Sequence, residues 1–96
     1  MESKYKIVRT HSAGVFFGEL ESLEGKVGVV KNARRLWYWR GAASLSELAV
    51  RGVKYPEECQ FPTPVSSITL TEVIEVLDVT LEAEKSIMGV PEWKAW

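Results

Sequence analysis

The hydrophobic positions in the first third of the chain follow the pattern of short strands separated by turns. Two β-rich runs, residues 5–10 and 15–23, flank a turn-like cluster at His11–Gly14 and predict a β-hairpin. A third strand is predicted at 27–31, after the turn at 24–26. Gly18 and Gly28 would weaken these strands unless another backbone or a ligand approaches there.

The strictest alternation occurs at residues 34–40, Arg-Arg-Leu-Trp-Tyr-Trp-Arg, and predicts a fourth strand after an interruption at 32–33. Neither side of this strand is purely apolar, because arginines fall on both sides. Residues 65–77 are rich in β-branched side chains and predict further strand, with a bulge or a break near Thr71 because the period of two fails there.

Two short helices complete the pattern. Ser44, followed three residues later by Glu47, has the spacing of a capping box, and Gly52 is a suitable C-terminal stop. Thr80 precedes a second helical segment at 81–88 that has acidic residues in its first turn. The prediction is an α+β fold, an antiparallel sheet of about five strands with two short helices.

Length and composition restrict the class of protein. Ninety-six residues, 46% of them hydrophobic, make one domain over residues 1–96 with one modest core, so we expect self-association into a homo-oligomer. No apolar run approaches the ~20 residues of a membrane span. The N-terminal residues show no secretory signal. One cysteine and one histidine provide neither a disulfide framework nor a zinc cluster. We therefore expect a cytoplasmic protein.

The formal net charge of −1 conceals an asymmetry. Residues 1–54 carry ten Lys or Arg and five Glu, net +5, whereas residues 55–96 carry two Lys and eight acids, net −6. The two halves either neutralise each other, within the chain or across a subunit interface, or the basic half meets an anion. The sequence leaves both possibilities open.

Nothing in the chain has the spacing of a catalytic site. No nucleophile, base and orienting residue form a recognisable set, and residues 41–46 lack the Gly-Lys-Ser/Thr ending of a phosphate-binding loop. We therefore predict a protein that is not an enzyme and that needs no cofactor or metal.

Residues 31–40 instead have the composition of a binding site, with four cations and three aromatic side chains in ten positions. Arginine matches phosphate oxygens in pairs, and aromatic faces stack on bases. The alternative is that Trp37 and Trp39 belong to the core while the arginines are solvated. The candidate ligand-binding residues are Arg9, His11, Asn32, Arg34, Arg35, Trp37, Trp39 and Arg40.

The ligand predicted for this set is small. A pI near 5.8 and an acidic C-terminal half disfavour duplex nucleic acid. His11, Ser12 and Gly14 could form an anion-binding turn, or the histidine could simply bond within its own loop. Trp93 and Trp96 are apolar anchors that either dock on a neighbouring subunit or fold back onto the sheet.

The chain resembles a family of small phage and prophage proteins over nearly its whole length. The segments that carry the resemblance are residues 7–15, 31–39, 41–49 and 70–76. Within them, the Ala-Arg-Arg-Leu-Trp-Tyr-Trp block is the most specific pattern. That family in turn looks similar to the phage Thoeris anti-defence sponges, which sequester cyclic ADP-ribose isomers. The resemblance implies a non-catalytic oligomer that closes a signalling nucleotide in a pocket between subunits.

Together these features predict a non-enzymatic protein that sequesters a small cyclic or pyrophosphate-containing nucleotide. The arginines would hold phosphate, Trp37 or Trp39 would stack on the base, and Asn32 would read its edge. Two alternatives stay open, because tryptophan and arginine also dominate protein-binding surfaces. One is a protein that docks on and inhibits or remodels a host protein; the other is a single-stranded nucleic-acid binder.

Overall fold

The computed structural model describes residues 2–95 and has an α+β fold, as predicted. Within this range the structure has five strands, two α-helices and a short 3-10 turn at Pro56–Glu58. The strands are β1 (Glu2–Thr10), β2 (Val15–Glu24), β3 (Val27–Arg35), β4 (Val65–Leu70) and β5 (Val73–Thr80), and the helices are α1 (Leu45–Arg51) and α2 (Leu81–Met88).

The strands form one antiparallel sheet in the order β4-β3-β2-β1-β5. Strands β4 and β5 lie at opposite edges of the sheet, although only Thr71 and Glu72 separate them in sequence. The sheet must therefore curl until its edges meet at this corner. Two bonds hold the corner: the Val73 N–H donates to the Lys26 carbonyl and the His11 N–H to the Glu72 carbonyl, both at 2.9 Å.

A close approach inside the curl explains one of the strand glycines. A Cβ atom on Gly18 would lie 2.6 Å from the Val30 side chain and 2.8 Å from the Lys31 carbonyl oxygen. The pairing of β2 with β3 shifts register at Gly18 and again between Leu20 and Ser22. A side chain at position 18 would therefore collide with the neighbouring strand; of the two approaches that the sequence left open, a backbone or a ligand, the backbone is the one present.

Alternation along the strands divides the core into two clusters, one on each face of the sheet. Ile7 and Phe17 point to the face covered by α1 and α2, where they pack with Leu48 and Ile87; we call this the helix side. Their neighbours in sequence, including Val8, belong to a smaller cluster inside the curl. Both faces of the central strands are therefore buried.

Both helices begin and end where the sequence predicted. The Ser44 hydroxyl accepts a hydrogen bond from the Glu47 N–H at 3.1 Å, and Glu47 accepts one from the Ala43 N–H at 2.7 Å. Gly52, at φ +80°, ends α1. At α2, the Thr80 hydroxyl accepts from the Ala83 N–H at 3.0 Å.

The predicted fourth strand at residues 34–40 is wrong. Asn32 adopts φ +50° without ending the strand, so β3 continues through 32–33 to Arg35. Beyond it the chain leaves the sheet, and only an isolated bridge between Tyr38 and Gln60 gives it β-type pairing. The fifth strand comes instead from residues 65–77, which break at Thr71 and Glu72 into β4 and β5.

No helix among residues 2–95 has both the length and the apolar character that a membrane crossing requires.

Candidate functional site

An open groove of about 700 Å3 lies where the turn between β1 and β2 faces the segment that follows β3. Its wall also includes Pro62 and Trp93 from two segments far apart in sequence. These segments are joined: the Trp93 N–H donates to the Phe61 carbonyl at 3.0 Å, and the Thr63 hydroxyl donates to the Glu92 carboxylate at 2.8 Å. The groove is thus a meeting point of four parts of the chain.

Arg35 supplies the groove with a positive charge. It is the last residue of β3 and pairs with Phe16 across the sheet, so that its guanidinium carbon lies 4.7 Å from the centre of the Phe16 ring. Among residues 2–95 no carboxylate lies within 4 Å of this guanidinium, and it donates no hydrogen bond. An exposed, unpaired arginine beside an aromatic ring is suited to binding an anion.

The aromatic surface of the groove comes from three tryptophans. Trp37 is 61% exposed, and its ring centre lies 4.8 Å from that of Trp93, with the planes tilted by 59°. Trp39 is only partly exposed because it packs against the cluster on the helix side. Trp37 and Trp93 therefore offer faces to a ligand, whereas Trp39 is partly a core residue.

The turn between β1 and β2 forms the opposite wall. The Thr10 backbone and side chain both donate to the Gly14 carbonyl, at 3.0 and 2.8 Å, and the Ala13 N–H donates to the Thr10 hydroxyl at 2.9 Å. The N–H groups of Ser12 and Gly14 have no acceptor among residues 2–95. Gly14 adopts φ +105°, which only glycine tolerates easily.

Three of the predicted ligand-binding side chains lie outside the groove and interact with carboxylates. Arg9 forms an ion pair with Glu75 at 2.7 Å. Asn32 donates from Nδ2 to Glu19 at 2.7 Å. Arg40 is paired with Glu58. Two of these contacts are ion pairs, and in both of them an arginine of the N-terminal half is neutralised by an acid of the C-terminal half.

Arg34 lies on the opposite side of β3 from Arg35 and is 9% exposed. Its two terminal nitrogens donate to the carbonyls of Ile87 and Phe61, at 3.3 and 3.4 Å, and its guanidinium carbon lies 5.4 Å from the Phe61 ring centre. Burial lowers the pKa of Arg34, and the negative charge of Glu92 opposes this shift. Arg34 therefore joins the end of α2 to the segment that carries the groove wall.

Of the eight predicted residues, the structure brings Arg35, Trp37 and Trp39 into the groove. His11 is exposed at its edge, in the turn that forms the wall. Sequence reasoning missed the role of Pro62 and Trp93. Trp93 was recognisable as an apolar anchor, and it folds back onto its own chain; Trp96 lies outside the described residues.

Cys59 is part of the hydrophobic core. It is buried on the helix side, and burial raises the pKa of its thiol. No group of three or more His, Cys, Asp or Glu side chains within residues 2–95 is placed to hold a metal ion.

Comparison with known families finds a match over most of the chain. The sequence profile of one family, described as a domain of unknown function, DUF6948, matches residues 3–87. The chain belongs to this DUF6948 family. The matched region of this DUF6948 member includes both the β1–β2 turn and Arg35, whereas Trp93 lies beyond it. No curated protein and no solved structure matches the chain.

Proposed function

We propose that this protein binds and sequesters a small signalling nucleotide in the groove without altering it. The observation that carries the proposal is the position of Arg35. An unpaired guanidinium lies in one groove with the exposed rings of Trp37 and Trp93. In this arrangement the arginine binds the phosphate of a nucleotide while a tryptophan stacks on its base.

The opposite wall supports the same ligand. Backbone N–H groups without an acceptor, here those of Ser12 and Gly14, are hydrogen-bond donors for phosphate oxygens. Gly14 has no side chain to obstruct an approach, and open space lies where its Cβ would be. The groove thus presents donors on one wall and aromatic surface on the other.

The groove carries one unpaired arginine rather than the four expected from the sequence. One guanidinium balances about one negative charge, so a single groove suits a phosphodiester better than a pyrophosphate. For a cyclic ADP-ribose isomer, the second phosphate would need a cation from another subunit. The proposal therefore includes a homo-oligomer in which two grooves face each other around the ligand.

A sponge for a signalling nucleotide requires affinity without turnover. By resemblance to phage and prophage proteins, we place this activity in the cytoplasm of an infected cell, where the protein would remove the signal of a defence system. Membership in the DUF6948 family gives no information about function. The proposal therefore rests on the chemistry of the groove and on the resemblance to phage and prophage proteins.

Native mass spectrometry of the protein, alone and mixed with cyclic ADP-ribose isomers, cyclic dinucleotides and cyclic trinucleotides, tests the proposal. The expected result is an oligomer that gains a discrete ligand mass and releases the ligand unaltered on heating. Arg35→Ala should lose the added mass and keep its fold. Arg9→Ala is the matched control, since Arg9 is exposed but paired outside the groove, and it should bind as wild type does.

A docking surface for a host protein is the second candidate function. It is favoured by the exposure of Trp37 at 61% and of Trp93 at 43%, in contact with each other beside Arg35. Tryptophan and arginine dominate the energetic centres of protein interfaces. An unchanged mass spectrum across the nucleotide panel, together with a host protein captured by wild type and lost with Arg35→Ala, would favour this function over sequestration.

A further inference from the structure

A second cavity, of about 430 Å3, opens on the helix side of the sheet and shares no lining residue with the groove. Its walls are mostly apolar. Tyr5 and Phe17 stack with their ring centres 4.8 Å apart, and Met88 lies at the end of α2 with 53% of its surface exposed. The polar groups on the lining residues are the Tyr5 hydroxyl, the Asn32 amide and the Arg34 guanidinium.

The charge of Arg34 is incompletely compensated. The residue is nine-tenths buried, and its Nε atom, which is wholly inaccessible, has no hydrogen-bond acceptor. Its two hydrogen bonds go to neutral carbonyls at 3.3 and 3.4 Å, longer than usual for a charged donor. No carboxylate among residues 2–95 lies within 4 Å of it. Buried charges in proteins are normally paired, so an anion is the group that this environment lacks.

Two acids bear on this charge, and neither contacts Arg34. Glu92 attracts it from beyond 4 Å and accepts a hydrogen bond from the Thr63 hydroxyl at 2.8 Å. Glu19 accepts a hydrogen bond from Asn32 at 2.7 Å and lies 3.6 Å from the Lys4 amine. Its charge is therefore balanced outside the cavity. An anion that enters the cavity meets mostly apolar walls that contain one arginine side chain. Met88 lies at the exposed end of the cavity.

We propose that this cavity binds the carboxylate of a small apolar acid, with the carboxylate directed toward Arg34 and the hydrocarbon between Phe17, Tyr5 and Met88. One guanidinium among apolar side chains suits a monoanion with an apolar body. A phosphate dianion would require more charge than the single guanidinium of Arg34 supplies; the Tyr5 hydroxyl is neutral, and the Asn32 amide is already bonded to Glu19. This site is separate from the proposed nucleotide groove and does not depend on it.

Hexanoate is the probe, and the arginine Nε–Hε resonances of 15N-labelled protein are the readout. Arg34→Lys identifies the Arg34 resonance by its loss. In the wild-type protein this resonance should shift with hexanoate until it saturates, whereas hexanol, which has the same chain but no charge, should leave it in place. Met88→Trp fills the mouth of the cavity without touching the guanidinium and should weaken hexanoate binding ~10-fold or more.

Arg35→Ala separates this site from the groove, and hexanoate should shift the Arg34 resonance in that variant as in wild type. Three results would overturn the proposal: an Arg34 resonance that does not respond to hexanoate, an equal response to hexanol, or equal affinity in Met88→Trp. Loss of the response in Arg35→Ala would also overturn it, because the acid would then be bound in the groove.

Discussion

Arg34 and Arg35 are neighbours in sequence but have opposite environments. Arg34 faces the helix side, where it is nine-tenths buried and donates to main-chain carbonyls of Phe61 and Ile87. Arg35 faces the groove, where it lies exposed over the Phe16 ring with no carboxylate partner among residues 2–95. The same side chain is thus packed in the interior at one position and exposed to solvent at the next.

The cause of this difference is the period of two along β3. Successive side chains of a strand point to opposite faces, and in this sheet each face is covered differently. The helices cover the face that receives Arg34, whereas the other face opens at its end, where Arg35 lies exposed over the buried Phe16 ring. The groove therefore lies where the curled sheet opens.

The largest expected effect is on stability and separates the two arginines. Arg34→Ala removes both hydrogen bonds to main-chain carbonyls and leaves a void under α2, so we expect a loss of about 3 kcal/mol in the free energy of unfolding. Arg35→Ala loses one exposed contact with an aromatic ring and should cost less than about 1 kcal/mol. Urea denaturation of both variants measures the difference, and equal losses would contradict the contrast between a packed Arg34 and an exposed Arg35.

Two glycines sharpen the comparison between packed interior and open groove. Gly18→Ala places a methyl group against the Val30 side chain and the Lys31 carbonyl and should cost about 2 kcal/mol. Gly14→Ala meets open space and should cost about 1 kcal/mol, from the positive φ alone. Chemical denaturation checks the order, and a costlier Gly14→Ala would show that the turn is packed.

Trp93→Ala tests the groove wall by its effect on affinity. Trp93 is 43% exposed, so removal of its ring should leave the sheet intact while it weakens nucleotide binding ~10-fold through lost stacking. Tyr55→Ala is the matched control, because Tyr55 is an aromatic residue of similar exposure, 39%, outside the groove. Calorimetric titration with the nucleotide identified by mass spectrometry measures both affinities. Equal affinity in the two variants would exclude Trp93 from the site.

The smallest expected effect concerns Cys59, where burial acts on ionisation as it does at Arg34. Burial disfavours the thiolate and raises the pKa of this thiol in the folded chain. The unfolded chain therefore loses the proton first, and stability should fall as the pH rises above the unfolded-state value near 8.5. Unfolding measured between pH 7 and 9.5 should show a decline that Cys59→Ala lacks; parallel curves would contradict it.

The sequence predicts the fold well where an element is determined by interactions between residues close together in the chain. The capping residues Ser44 and Thr80 bond within one helical turn, so their spacing in sequence is sufficient to place both helices. The break at Thr71 is also a local failure of alternation. These features do not depend on the rest of the chain.

The site is less predictable, because it depends on which face each side chain reaches and on distant segments. Alternation at residues 34–40 suggests one continuous strand, but the chain leaves the sheet after Arg35, and the strand beside β3 is β4, from a distant part of the sequence. Trp93 contacts Trp37 from a segment whose backbone N–H donates to the Phe61 carbonyl. The sequence signal for this contact was Trp93, a large apolar side chain between the charged residues Glu92 and Lys94.

The most direct test of the central claim follows the tryptophan indole N–H resonances of the protein during titration with a cyclic ADP-ribose isomer. The account predicts that the indole signals of Trp37 and Trp93 shift together and saturate, and that Arg35→Ala abolishes the shifts while its other resonances stay in place. Unmoved signals of Trp37 and Trp93, or equal binding by Arg35→Ala, would contradict a nucleotide site in the groove.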